Sequence, residues 1–152
     1  DFLYTHLANT VVNGITTTVA STSGISGSSN MNVLAPADSS DFGLVVGTGT
    51  TAVALADYAL VGQILSGTAS GSLTYQACNT VSPASSGSTR LFKFTRIYNN
   101  ASGGSITVQE TGIYSRVSGT VTFMLERALE SPPVTINNGA NGTLTYVISV
   151  TV

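Results

Sequence analysis

The stretch RLFKFTRIYNN, residues 90–100, alternates without a break: Leu91, Lys93, Thr95 and Ile97 fall on one face of an extended chain, and Phe92, Phe94, Arg96 and Tyr98 on the other. Period-2 patterning of this kind belongs to a β-strand, because successive strand side chains point to opposite faces. Similar runs lie on both sides of it. They are NVLA at 32–35, FGLVVG at 42–47, SLTYQACNTV at 72–81, SITVQETGIYS at 105–115, GTVTFMLERAL at 119–129 and GTLTYVISVTV at 142–152. In the last, Leu144, Tyr146, Ile148 and Val150 share a face. The punctuation NNASGG at 99–104 and NNGANG at 137–142 supplies residues that tolerate positive φ in turns. The expected fold is all-β, an antiparallel β-sandwich of jelly-roll or immunoglobulin-like type over residues 31–152.

One stretch departs from the strand pattern. LVVGTGTTAVALADYALVGQI, residues 44–64, leads from an apolar strand through a Gly/Thr turn to Asp57, a residue suited to cap a helix. Leu60 and Ile64 stand four apart, with Val61 and Leu65 beside them, and Gly67 is placed to end the helix. The spacing predicts one short helix that needs the sheets to support it. MLERALE at 124–130 has a superficially helical look but belongs to a strand ending near the pair Pro132–Pro133.

Residues 1–30 read as an N-terminal arm and linker. Phe2, Leu3, Tyr4, Leu7, Val11 and Val12 make the first part β-prone, ITTTVA at 15–20 resembles a polar strand, and the run from Ser21 to Asn30 is a Ser/Gly tether. An apolar β-prone segment on a tether is suited to pairing with the sheet edge of a neighbouring subunit.

Composition narrows the function. At 152 residues the chain fits one domain with a conventional core. Lys and Arg number 5 and Asp and Glu 7, whereas Ser and Thr together number 42; an ordinary soluble domain is ~25% charged. A surface of hydroxyls and glycine repels identical neighbours weakly. Five basic residues and a net charge of −2 argue against nucleic acid as a partner. No apolar run reaches the ~20 residues of a membrane span, and the first residues carry no basic n-region followed by an apolar h-region.

Few residues offer chemistry. The single Cys78 excludes an internal disulfide, and the single His6 lies in the arm. GTGTT at 47–51 lacks the lysine of a P-loop and has Ala52 where a dinucleotide fingerprint needs its third glycine. Asp38 and Asp41 flank two serines without the spacing of a calcium loop. Glu126 and Glu130 share a face only on a helix, and in a strand they stand about 13 Å apart. GISGS at 24–28 places Ser26 in a low-complexity linker, and the only histidine precedes it. Neither a metal, a cofactor nor a small-molecule substrate is expected, and the chain is not read as an enzyme. Asn100 and Asn141 open Asn-x-Ser/Thr sequons that matter only in an exported chain.

The order GLVVGTGTTAVALADYALVGQI, FTRIYNNASGGSITVQETGIYS and FMLERALESPPVTINNGANGTLTYVISV resembles small structural proteins of tailed-phage and prophage virions, over roughly residues 42–152. The resemblance implies structural roles: Gly47 and Gly49 in the turn, Asp57 at the helix cap, and Gly103 and Gly104 closing a hairpin. It also implies that Glu110 pairs with Arg96, Arg116 or Arg127, and that Pro132 and Pro133 blunt a sheet edge. The arm lies outside it. The expected function is self-assembly with copies of itself and with other virion proteins. An extracellular filament subunit polymerising by strand donation is the alternative, and a carbohydrate- or host-binding module a second.

Overall fold

The computed structural model describes residues 31–86, 88–118 and 121–151. The anticipated arm, with Phe2, Leu3, Tyr4, Leu7, Val11 and Val12, lies outside the described residues. Seven strands follow in chain order: β1 (Gly43–Gly47), β2 (Thr74–Tyr75), β3 (Asn79–Ser86), β4 (Thr89–Asn99), β5 (Ile106–Ser118), β6 (Val121–Ile136) and β7 (Asn141–Thr151). Every pairing between them is antiparallel. One sheet has the order β1-β5-β6. In the other, β4 is central, with β2 and β3 in succession along one side and β7 along the other.

The alternation at 90–100 explains which side of β4 faces inward. Arg96 and Tyr98 are buried and Phe94 packs against the core, whereas Ile97 is exposed. Leu44, Val45 and Val46 of β1 join Tyr75, Tyr98, Ile113 and Ile136 in one apolar cluster drawn from both sheets. Tyr75 and Tyr98 meet edge to face at 4.9 Å. The Tyr98 hydroxyl donates to the Leu44 carbonyl at 3.2 Å, tying the sheets together.

Three expectations need correction. Among the described residues there is no helix, and 48–65 is an irregular segment lying over the β1-β5-β6 sheet. The amides a helix needs are taken elsewhere: Leu60 N–H by the Tyr114 hydroxyl, Val61 and Gly62 N–H by Glu110, and Ile64 N–H by the Val46 carbonyl. A helix of two or three turns is marginal in water, so tertiary partners of this quality displace it. NNASGG does not close a hairpin, and neither it nor NNGANG joins two paired strands. Each carries the chain from one sheet to the other, because β4 pairs with β7 and β5 with β6. Gly103 and Gly104 therefore sit in a crossover, where Asn100 Nδ2 donates to the carbonyls of Gly104 and Ile136 and so stitches the two crossovers together. NVLA contributes a single bridge, Asn32 to Arg116.

Candidate functional site

Glu110 is the centre of the most connected polar cluster. The strand β5 is irregular between Val108 and Glu110, where β6 carries extra residues. Val108 thus lines the space beside Tyr98 and Leu144, while Glu110 reaches the 48–65 segment on the opposite surface of its sheet. Its carboxylate is fully buried and accepts four hydrogen bonds: Gly49 N–H at 3.1 Å, Gly62 N–H at 2.6 Å, Val61 N–H at 3.1 Å and Arg127 Nε at 2.7 Å. Burial pushes this carboxyl up, but the Gly62, Val61 and Gly49 amides and Arg127 together hold it below the usual carboxylate range.

The glycines of the turn make this approach feasible. A Cβ at Gly47 or at Gly49 would stand 2.5 Å from Glu110 Oε1. GTGTT does therefore cradle an anion with a backbone amide, as a phosphate loop does, but the anion is the protein's own carboxylate.

Arg127 completes the cluster from β6. Beyond Glu110, its Nη1 donates to Asp57 Oδ2 at 2.7 Å and its Nη2 to the Thr51 carbonyl at 2.7 Å. Asp57 also accepts from the Ala54 amide, and these bonds hold its carboxyl below the ordinary value. Asp57 thus closes a turn and receives an arginine; it caps no helix. Of the three arginines offered as partners of Glu110, Arg127 makes the pair. Arg116 lies over the Phe42 ring, 4.0 Å from its centroid, and reaches the exposed Asp41 at 3.5 Å.

Arg96 forms a second cluster that sequence reasoning missed. Its five N–H donors all meet carbonyl oxygens: Gln76 at 2.7 Å, Phe42 at 3.2 Å, Leu44 at 3.0 Å, Pro36 at 3.0 Å and Ser39 at 2.6 Å. The guanidinium carbon lies 4.7 Å from the centroid of the Tyr75 ring. The one cue was an arginine on the same strand face as Phe94 and Tyr98. Tyr75 extends the network, donating to the Ile64 carbonyl at 2.6 Å and accepting from Val46 N–H at 3.3 Å.

The other candidates do not converge. Cys78 is buried, and burial pushes its thiol up, away from a reactive thiolate. Asp38 adopts a positive φ of 63°, and no group of three His, Cys, Asp or Glu able to hold a metal occurs among the described residues. His6 and Ser26 lie outside the described residues. Asn100 is buried with its amide engaged, whereas Asn141 is exposed. Pro132 and Pro133 lie on β6 in a stretch unpaired with β5, between Leu129 and Val134.

Glu126, Ala128 and Glu130 of β6 face Leu144, Tyr146 and Ile148 of β7 across a cleft of about 530 Å³. Burial, then the neighbouring carboxylates of Glu126 and Glu130, keeps the Tyr146 hydroxyl protonated well beyond neutral pH. No protein-family model, curated protein or solved structure matches the chain.

Proposed function

We propose that this chain is a non-enzymatic structural subunit, with its two sheets packed as a β-sandwich, that self-assembles into part of a phage virion such as a capsid decoration, tail or fibre component. Residues 1–20 dock on a neighbouring copy. The observation that carries the reading is the use made of the buried charge. Glu110 and Arg96 have their hydrogen-bonding capacity taken up by the fold itself, and the buried Arg127 spends three of its five N–H donors on Glu110, Asp57 and Thr51, so this buried charge is committed to holding the fold together. The outer surface supports the same conclusion. Val53, Leu55, Tyr58, Val61 and Leu65 are exposed over one sheet, and Val81, Ile97 and Val147 over the other. A stable interface buries ~1,200–2,000 Å², and weakly charged apolar faces provide such area. The virion setting rests on the motif order at 42–152, and an extracellular filament built by strand donation uses the same arm.

Electron microscopy of the full chain beside a chain shortened by residues 1–24 tests the proposal. Rings, tubes or filaments from the full chain, lost in the shortened one, support it. Monomers in both samples overturn it.

A further inference from the structure

Resting on the self-assembly reading, we infer that the acceptor for the arm is the free edge of β7 together with the cleft between β6 and β7, and that its occupant is residues 2–12 of a second copy. The two sides of the molecule differ. On the β1 side the chain covers its own edge: Ile64 N–H bonds to the Val46 carbonyl and Thr48 N–H to the Gly62 carbonyl. On the other side, among the described residues, β6 pairs only with β5, and β7 only with β4.

The open edges are not equivalent: β3 also pairs only with β4 among the described residues, but it contains Pro83 and has a register shift between Val81 and Ala84. β6 has three irregularities in its register with β5 and carries Pro132 and Pro133, devices that obstruct pairing with a further strand. β7 pairs with β4 without a shift from Asn141 to Thr151 and contains no proline and no charged residue. Such an edge is a template for another strand.

Its side chains offer more than backbone. Leu144 and Tyr146 line the cleft with Ala128, and Ile148 and its pairing partner Phe92 remain 42% and 46% exposed at one end. Thr111, Glu130 and Leu144 also line a smaller adjoining space of about 90 Å³ that reaches Val134 and Ile136, so the apolar floor continues along the opening.

The arm suits this acceptor by length and chemistry. FLYTHLANTVV, residues 2–12, has no glycine, proline, Lys, Arg, Asp or Glu, and its 11 residues equal the 11 of β7. Its one basic group, His6, would meet the acidic lip formed by Glu126 and Glu130. The choice of a second copy rests on the self-assembly reading and agrees with where the described chain begins. Asn32 exchanges backbone hydrogen bonds with Arg116, whose other partner is Thr122 of β6. The arm's root is therefore on the β1 side of its sheet, across from its own cleft.

The test uses full-length chains in a Cys78→Ser background, each checked by circular dichroism for the wild-type fold. Thr5→Cys protein is mixed with Thr145→Cys protein and treated with a short bifunctional maleimide; Thr5→Cys mixed with Ala56→Cys is the control, and the arm's apolar anchors stay intact. Thr145 is exposed at the cleft, and Ala56 is exposed on the 48–65 segment over the other sheet. Docking raises local concentration, so dimers should form roughly tenfold or more faster with Thr145→Cys than with Ala56→Cys. Equal rates overturn the cleft assignment. A Thr5→Cys/Thr145→Cys double variant that links only within its own chain overturns the second copy. Sedimentation of the same samples separates the two levels of failure: assembly without the Thr145 cross-link removes the cleft alone, and monomers throughout remove the self-assembly reading with it.

Discussion

Replacing Glu110 by Gln preserves shape and removes one charge, which makes it a sharp probe of the cluster beneath the 48–65 segment. In the native chain Oε1 accepts from Gly49 and Gly62, and Oε2 from Val61 and Arg127. A carboxamide has one accepting oxygen and one donating nitrogen, so in either orientation its NH₂ confronts two donors. If it faces Gly49 and Gly62, one buried and one half-buried amide lose their acceptor; if it faces Val61 and Arg127, a buried guanidinium loses part of its countercharge. A buried group left unsatisfied costs about 1–3 kcal/mol, and removing one partner of a buried ion pair about 3–5 kcal/mol. The expected loss for Glu110→Gln is therefore about 3 kcal/mol or more, which lowers the melting temperature by ~6–12 °C in a chain of this size. Urea unfolding followed by circular dichroism, with the slope checked for constancy, measures it. A change below about 0.5 kcal/mol, the ordinary scatter of surface substitutions, would refute the reasoning.

Gly49→Ala should destabilise by a comparable amount, since its Cβ would lie 2.5 Å from Glu110 Oε1 and 2.7 Å from the Val61 Cβ; wild-type urea stability in this variant contradicts the packing described. Arg96→Lys retains the charge but offers three donors to five carbonyls, and a loss of about 2–4 kcal/mol is expected by thermal or urea unfolding. The pH profile follows from Glu110 and Asp57, both held below their ordinary values. Groups lowered in the folded state stabilise it above their unfolded pKa, so stability should be full above about pH 5 and fall as pH drops through the folded values. Glu110→Gln should flatten that acid limb, and an unchanged limb excludes Glu110 as its source. Ala128→Trp, which fills the cleft from β6, should reduce assembly in sedimentation velocity while leaving the circular dichroism spectrum unchanged.

The strands were legible because their apolar residues alternate, and β1, β4, β5 and β7 fall within a few residues of the expected positions. Their partners were not legible. Adjacent strands joined by Asn/Gly turns look like hairpins in sequence, yet β4 and β5 lie in different sheets because β7 takes the place beside β4. The helix failed for a related reason. Local spacing around Leu60 and Ile64 is helical, but Glu110 is about fifty residues away in sequence, and its claim on the Val61 and Gly62 amides has no local signature. Glu110 itself was singled out, with Arg127 among three arginines; nothing local to 110 distinguishes them, since the choice depends on Gly112 and Arg127 lying opposite each other across β5 and β6. The five-carbonyl cage of Arg96 was invisible because main-chain acceptors leave no mark on a sequence.

Sedimentation velocity of the full chain over a wide concentration range tests self-assembly most directly. The expected result is a concentration-dependent shift from monomer to large, regular species, abolished by Tyr4→Asp without change in the circular dichroism spectrum. A single monomeric boundary at every concentration would contradict it.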